Sequence, residues 1–382
     1  MASRLHRSIL ASAALAAIVG WTLTCSSART DGSPPDARDL RATAFARAVE
    51  AIRQHQKPDG RWTTDVTTGP VYRDATSETN VFTPAVMVDL LSPVERETGL
   101  GPEVARARTY LRRQIEPSGL VRYHGASGPI EAAGRGCELP PDADDTALAW
   151  RIAPLSDKAR LASALREIER YRDPDGLYRT WLAGEDTYRC FYGRYAGKER
   201  NPPDVAVEMH VYLFLAEHDR VAADRLCAAL RRRVDDDRIW VWYTVAPLLP
   251  RLREVDMSRK GCAMQIPDGR LARAVAGQQR YLSQARLLRD LLLAAKPEPG
   301  ERARSERYLA ALREGAAGEF AQVKEEPPLL YHNDLSATPP HYHWSADVGY
   351  ALWLRLYVEA GGRFPGAVSL PWQGPATNGP RS

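Results

Sequence analysis

Residues 140–150 of this 382-residue chain read Pro-Pro-Asp-Ala-Asp-Asp-Thr-Ala-Leu-Ala-Trp. Two prolines ahead of an apolar run predict the start of a helix, because a proline in the first turn loses no needed hydrogen bond. Asp142, Asp144 and Asp145 crowd this turn, and crowded carboxyl groups retain a shared proton near neutral pH. Aspartates at a helix start also cap free backbone N–H groups. Proton donation and simple capping are therefore both open interpretations of the stretch.

The run Asp142-x-Asp144-Asp145-Thr-Ala resembles the acid motif of class II terpene cyclases, such as squalene–hopene cyclases and class II diterpene cyclases. The resemblance implies that Asp144 protonates a carbon–carbon double bond or an epoxide. It also implies that Asp142 and Asp145 tune the acidity of Asp144, and that the proton is delivered into an apolar cavity.

A turn rich in proline, aspartate and glycine recurs through the first half of the chain. Its glycines, Gly60, Gly119 and Gly176, are 59 and 57 residues apart, and each turn has the chemistry of a helix end. Apolar runs typical of interior helices lie between the turns, at residues 81–91, 145–152 and 205–216. Amphipathic runs typical of an outer layer lie at residues 102–114 and 157–170. The pattern predicts a repeat with two helices in each unit.

The spacing of Gln56, Gly60 and Trp62 resembles the repeat motif of squalene and oxidosqualene cyclases, in which glutamine and tryptophan stack between helices. Together with the two-helix repeat, this resemblance predicts an all-α protein. The expected architecture is an α/α toroid of about five to six helical hairpins, like that of terpenoid cyclases and prenyltransferases.

The second half of the chain is less regular. We expect a helix beginning near Trp242, although the aromatic run at residues 239–244 reads locally as a strand. Further predicted features are amphipathic helices at residues 269–294 and 301–314, a His-rich polar loop at 331–344 and an apolar helix at 347–360.

Aromatic residues cluster where a cavity would be lined, and aromatic faces attract cations without being strong nucleophiles. The candidate substrate-binding residues are Trp150, Trp181, Tyr192, His210, Trp242 and Tyr243. His210 lies within an apolar run and could partner an acid, although a histidine there is more often a satisfied core residue. We predict no cofactor and no metal; the only candidate metal ligands are His341, His343 and Asp334, and a hydrogen-bonding loop is the favoured interpretation.

The N-terminus has the composition of an export signal over residues 1–28, with Cys25 as an alternative site of lipid attachment. A linker at residues 29–40, one toroid domain at 41–364 and a flexible tail at 365–382 complete the predicted organisation. Without Cys25 four cysteines remain, which allow two disulfides in an exported protein. The net charge of +4 includes two leader arginines and gives no electrostatic case for nucleic acid.

These features predict an exported protein, whether periplasmic, membrane-attached through Cys25 or secreted. The leading functional hypothesis is an acid-initiated cyclase or isomerase acting on a hydrophobic, isoprenoid-like substrate. One alternative is a non-catalytic binding or scaffold toroid whose partner is a cell-envelope component. The other is a glycan-acting toroid, for which Glu185, Asp186 and Glu208 are the candidate acids.

Overall fold

Helices make up most of the chain that the computed structural model describes, namely residues 37–126, 139–188, 201–293, 320–334 and 339–360. In chain order the helices are α1 (Ala37–His55), α2 (Phe82–Leu91), α3 (Glu95–Thr98), α4 (Gly101–Gln114), α5 (Ala143–Ile152), α6 (Lys158–Arg170), α7 (Glu185–Tyr188), α8 (Val205–His218), α9 (Arg220–Arg233), α10 (Leu248–Arg259), α11 (Asp268–Leu271), α12 (Gln279–Leu293), α13 (Ala321–Glu325) and α14 (Ala346–Glu359). Several predictions lie outside the described residues: the export signal at 1–28 with Cys25, most of the linker, Cys137, Cys190, Tyr192, the helix at 301–314 and the tail at 365–382.

The inner layer consists of α2, α5, α8, α10 and α14, which are buried over nearly their whole surface. Contacts between helices run in a closed circuit from α2 to α5, α8, α10, α12, α14 and back to α2. Helices that are buried on nearly all sides lie inside the fold, and the ring, with α12 between α10 and α14, gives the five of them one interior. The α/α toroid predicted from the repeat is confirmed.

The outer layer follows the same repeat. Helix α4 packs on α2 and α5, α6 packs on α5, α9 packs on α8, and α1 packs on α14. The repeat glycines hold these layers together: a Cβ added to Gly60 would lie 2.5 Å from the carbonyl oxygen of Arg106 in α4. A Cβ on Gly119 would lie 2.4 Å from the carbonyl oxygen of Arg160 in α6. Both glycines also have positive φ, so only glycine allows the turn to meet the next outer helix.

Gln56 and Trp62 hold the first repeat turn through hydrogen bonds to backbone carbonyl groups, while the stacking that the repeat motif implied stays a prediction. The Gln56 side-chain amide donates to the carbonyl oxygens of Gly60 and Glu103, at 2.9 and 2.8 Å, and so joins the turn to α4. The indole of Trp62 is fully buried and donates to the carbonyl oxygen of Ile52 at 3.0 Å. These bonds fix the turn between α1 and the strand that follows it.

A four-stranded antiparallel sheet lies beside the ring and was not predicted. Its strands are β1 (Thr64–Thr67), β2 (Thr76–Glu78), β3 (Leu329–Asn333) and β4 (His341–Trp344), in the order β2-β1-β4-β3. The loop predicted at residues 331–344 is therefore wrong. The strands form because β4 pairs with β1, with Asp65 opposite Trp344, a contact between distant segments that local patterning does not report.

The helix predicted to begin near Trp242 is also wrong, because α10 begins at Leu248. The backbone N–H groups of Val241 and Trp242 donate to one carboxylate oxygen of Asp204, each at 2.9 Å. Pro247 then disfavours a helical conformation at the residue before it. The segment at residues 240–247 is consequently an irregular loop held against the start of α8.

The predicted helix at 269–294 is broken into α11 and α12. Gly277 has a φ of +84°, and the side chain of Gln278 is used to hold β3. Its amide oxygen accepts from the N–H of Leu329 at 2.7 Å, and its NH2 group donates to the carbonyl oxygen of Pro327 at 3.2 Å. The apolar helix predicted at 347–360 is confirmed as α14.

A disulfide joins Cys227 in α9 to Cys262, just after α10, with their Cα atoms 5.9 Å apart. It ties an outer helix to the end of an inner one. Of the helices that the structure describes, none has both the length and the apolarity to cross a membrane.

Candidate functional site

The aspartate cluster begins α5, and Asp142 is its cap. Asp142 has extended backbone angles, and its side chain accepts from the N–H of Asp145 at 2.6 Å. Backbone bonds to neighbouring segments hold this entry in place: the N–H of Asp142 donates to Val121 at 3.1 Å and the N–H of Ala143 donates to Thr180 at 2.9 Å. The capping interpretation is therefore right for Asp142.

Asp144 is bonded differently. One of its carboxylate oxygens is hydrogen-bonded to Nδ1 of His210 in α8. The other accepts from the phenol of Tyr243 at 3.2 Å. Among the described residues no backbone N–H donates to this side chain, which keeps 12% of its surface exposed. Asp144 is thus free of the helix terminus and is held by two side chains from other elements.

Asp142 and Asp145 bind protons more tightly than ordinary aspartates. Burial, reinforced by the charge of Asp144, raises the pKa of Asp142 to about 7. Burial and the neighbouring charges of Asp142 and Asp144 raise the pKa of Asp145 well above its usual value. One oxygen of Asp145 has no hydrogen-bond partner within the described part of the chain. Because coupled carboxyl groups titrate together, Asp142 and Asp145 retain protons near neutral pH.

His210 is fully buried, and burial lowers its pKa although the carboxylate of Asp144 opposes this effect. The positive charges of Arg253 and Arg151 act in the same direction as burial. The ring is therefore neutral at neutral pH, and its Nε2 has no hydrogen-bond partner among the described residues. A neutral imidazole can accept from a protonated Asp144 and can donate to the carboxylate that remains after proton loss, depending on its tautomer.

A group of aromatic rings, from here on the aromatic wall, lies beside the Asp144–Tyr243 pair. Its members beyond Tyr243 are Phe82 at the start of α2, Tyr331 in β3 and His343 in β4. The Tyr331 ring meets Phe82 edge-on at 5.3 Å, stacks on His343 at 4.2 Å and lies 6.3 Å from the Tyr243 ring, between ring centroids. The sequence did not single out Phe82 or Tyr331; only their neighbours in the fold mark them as site residues.

The predicted tryptophans fall in two places, with Trp181 and Trp242 in contact and Trp150 apart from them. The backbone of Trp181 pairs with that of Asp142 in an isolated antiparallel bridge. The Trp181 ring meets the Trp242 ring edge-on, with 6.1 Å between the ring centroids. Trp242 lies in the loop that Asp204 holds, and its buried indole N–H has no partner in the described residues. Trp150 instead donates to the carbonyl oxygen of Gly119 at 2.7 Å, as Trp62 does to Ile52, so it joins repeat units. Tyr192 lies outside the described residues.

The histidine group does not assemble into a metal site. Burial lowers the pKa of His343 to about 4, and its ring stacks on Tyr331, while the His341 ring lies 6.4 Å from it between centroids. Across the part of the chain that the structure describes, no three His, Cys, Asp or Glu side chains are grouped as metal ligands. Asp334, the third candidate ligand, lies just after β3.

A buried ion cluster forms the interior of the ring further along α5. The carboxylate of Asp89 in α2 pairs with Arg151 in α5 at 2.7 Å and with Arg253 in α10, which also contacts Asp256 at 2.6 Å. The two guanidinium groups hold the pKa of Asp89 well below its usual value. The cluster joins three inner helices, and the sequence analysis missed it because each residue alone resembles a surface charge.

The candidate glycosidase acids are not arranged as a pair. Glu208 is fully buried in the first turn of α8 and accepts from the N–H of Tyr178 at 2.7 Å. Burial raises its pKa well above the usual value. Glu185 and Asp186 lie on the exposed helix α7. This geometry does not favour the glycan-acting alternative.

Comparison with solved structures assigns the fold to the class found in type II terpene cyclases. Three structures of the type II terpene cyclase MstE from Scytonema match the chain. A variant with its substrate geranylgeranyl dihydroxybenzoate has a TM-score of 0.52 at 14% identity, over 84% of this chain and 97% of that chain. A variant with the product merosterolic acid A gives 0.51 at 15%, over 84% and 97%. The apo enzyme gives 0.50 at 16%, over 85% and 99%.

The chain therefore has a terpene-cyclase-like α/α toroid fold, as the acid motif and the repeat motif implied. At identities this low the likeness shows the fold alone. No protein-family model matches the chain, and no curated protein matches it.

Proposed function

We propose that this protein is an acid-initiated cyclase or isomerase of the class II type, with Asp144 as the proton donor and a hydrophobic, isoprenoid-like molecule as substrate. The observation that carries the proposal is the position of Asp144. Its carboxyl group takes part in no backbone cap among the described residues, and it contacts His210 and Tyr243 beside the aromatic wall. A residue needed only to start the helix would be bonded as Asp142 is.

The first step follows from this geometry. The O–H bond of protonated Asp144 breaks as the π electrons of a substrate double bond form a new C–H bond, which leaves a carbocation on the more substituted carbon. The carboxylate left on Asp144 accepts from Tyr243 and from the Nδ1–H tautomer of His210, so its charge is stabilised as it develops. The faces of Phe82, Tyr243 and Tyr331 stabilise the cation through their ring electrons.

The substrate class rests on the same side chains together with the fold. An aromatic wall suits a chain of isoprenoid units, whose cations it stabilises without capturing them. The relative MstE acts on geranylgeranyl dihydroxybenzoate, an isoprenoid chain on a polar ring. This compound is accordingly the first probe to use, followed by free prenyl alcohols of different length.

The test is conversion of these probes in D2O. An acid-initiated reaction places one solvent deuterium at the carbon that Asp144 protonates, and mass spectrometry of a cyclised or isomerised product detects it. Conversion without deuterium uptake at that position would exclude initiation by an acid. No conversion of any probe would favour the non-catalytic alternative.

The non-catalytic toroid has one observation in its favour, which is that Asp142 does cap α5. In that alternative the cluster stabilises the fold and the partner is an envelope component. Export remains part of the proposal and rests on the composition of residues 1–28. Fractionation of cells that produce the full chain would test it, as would mass analysis of the mature N-terminus.

A further inference from the structure

A short chain of hydrogen bonds leads from the aromatic wall towards solvent. The phenol of Tyr331 donates to the phenol of Tyr123, which donates to the carboxylate of Glu78 at the end of β2. Tyr331 and Tyr123 are half-buried, and the side chain of Glu78 keeps 29% of its surface exposed. The three residues come from distant parts of the chain and meet only because β1 pairs with β4.

In this series of hydrogen bonds, the groups around the Tyr123 oxygen determine where each phenol proton points. The side-chain amide of Asn80 donates to the Tyr123 oxygen at 2.8 Å, and Tyr331 donates to the same oxygen. With both acceptor positions used, the O–H of Tyr123 must point at Glu78. Asn80 is itself held, because it donates to Thr64 at 2.7 Å and accepts from the N–H of Thr83 at 2.9 Å.

Both phenols carry their protons at neutral pH, because burial and the nearby charge of Glu78 raise their pKa values well above the usual range. His343 lies 3.8 Å from the Glu78 carboxylate, and its lowered pKa keeps it neutral, so it does not neutralise that carboxylate. Glu78 is therefore the acceptor at the solvent end of these hydrogen bonds. At the other end, the Tyr331 ring is one aromatic ring away from Asp144, with Tyr243 between them.

We propose that Tyr331 is the base that ends the reaction, and that Tyr123 and Glu78 carry the proton away. This inference rests on the proposed function and names the residue that completes it. A C–H bond next to the cationic carbon breaks, and its electrons form the alkene of the product. The proton goes to the Tyr331 oxygen while the Tyr331 proton moves to Tyr123 and the Tyr123 proton moves to Glu78. Glu78 then releases it to water, so no oxidant or co-reactant is needed.

The experiment compares Tyr331→Phe and Glu78→Gln with the unmodified protein, with geranylgeranyl dihydroxybenzoate as the probe. Without the base, water captures the cation, so the ratio of alkene to alcohol product should fall by about tenfold or more. Tyr178→Phe is the matched control, because Tyr178 also donates to a glutamate, Glu169 at 2.9 Å, in another part of the fold. Unchanged product ratios in both variants would overturn the relay.

A second measurement needs no substrate. Removing the charge of Glu78 removes one cause of the raised pKa of Tyr123, so in Glu78→Gln a tyrosine should ionise at lower pH than in the unmodified protein. Tyrosinate absorbance during a pH titration reports this shift, and an unchanged titration would overturn the relay whatever the substrate is. If the titration shifts but the unmodified protein does not convert the probe, the hydrogen-bonded contact between Tyr123 and Glu78 stands and the proposed function is contradicted for that substrate.

Discussion

Asp144, at the start of α5, and His210, in the middle of α8, are hydrogen-bonded across the interface between two inner helices. His210 is fully buried, and within the described residues this is the only hydrogen bond its ring makes. Burying a polar ring for one bond costs stability. That cost is understandable if the bond serves chemistry at Asp144.

Asp144→Asn should abolish conversion of substrate while leaving the fold intact. Asparagine has nearly the same shape, and its amide can still bond His210 and Tyr243, but it has no acidic proton. We expect turnover to fall by at least about 10²- to 10⁴-fold, the usual contribution of a positioned acid. Product assays and thermal melting followed by circular dichroism check the two parts.

Asp219→Asn is the matched control for this prediction, because Asp219 caps α9 by accepting from Ala222 at 3.0 Å and lies away from the cluster. It should retain activity. Substantial turnover by Asp144→Asn would contradict the assigned role of Asp144.

Tyr243→Phe should slow the reaction without removing it. The change deletes only the phenol that donates to Asp144 at 3.2 Å and keeps the ring in the aromatic wall. A hydrogen bond to a charged group contributes about 1.5–3 kcal/mol, which corresponds to a roughly ten- to hundredfold lower turnover. Steady-state kinetics measure it. Tyr212→Phe, which loses a bond to the carbonyl oxygen of Lys260, should behave like the unmodified protein.

Asp142 should make the folded state less stable as pH rises. Its pKa is about 7 in the folded protein and about 3.9 in an unfolded chain. The folded state therefore holds a proton that the unfolded state has lost between these values. Its contribution to stability is fully present below about pH 4 and declines up to about pH 7, by up to roughly 1.4 kcal/mol per pH unit.

Asp142→Asn should remove this contribution, because asparagine does not titrate and can still accept the bond from Asp145. Urea unfolding at pH 5, 6 and 7 gives the free energy of unfolding of both proteins. The advantage of the variant over the unmodified protein should grow with pH. Parallel pH profiles would mean that Asp142 is an ordinary cap with an ordinary titration.

The disulfide between Cys227 and Cys262 should contribute roughly 3–4 kcal/mol to the free energy of unfolding, because it closes a loop with a sequence separation of 35 residues. Denaturant unfolding of the double variant Cys227→Ser and Cys262→Ser measures the loss. Reductant should lower the stability of the unmodified protein by more than it lowers that of the variant. Equal stability of the two proteins under oxidising conditions would contradict the prediction.

Local patterning accounts for the parts of the fold that the sequence predicted. The inner helices, the repeat turns at Gly60 and Gly119 and the acid motif at residues 142–145 are each specified by nearby residues. The break before α10 depends on Asp204, and the break before α12 depends on contacts with Leu329. Neither partner is close in sequence, so periodicity alone predicted continuous helices.

The candidate site was predicted only in part, because local sequence marks some of its residues and contacts between distant segments mark the others. Asp144 and His210 were identified because an acid motif and a histidine in an apolar helix are unusual in themselves. Tyr331 and Tyr123 were missed, since nothing in their local sequence separates them from other tyrosines. They are identified as candidate site residues by the hydrogen bonds that connect Tyr331 to Tyr123 and Tyr123 to Glu78, and Glu78 is placed beside them by the sheet.

The pairing of β1 with β4 also determines when the protein can finish folding. The indole of Trp344 donates to the hydroxyl of Thr67, 277 residues earlier in the chain, and α14 packs against both α1 and α2. During synthesis the N-terminal segments emerge first, so β1 and the first inner helix wait for partners that are made near the end. Contacts between such distant segments also slow folding. A chain that stops before residue 341 therefore lacks both β4 and α14, the helix that closes the ring. It leaves β1 without β4 as a partner strand, and it leaves α1 and α2 without α14.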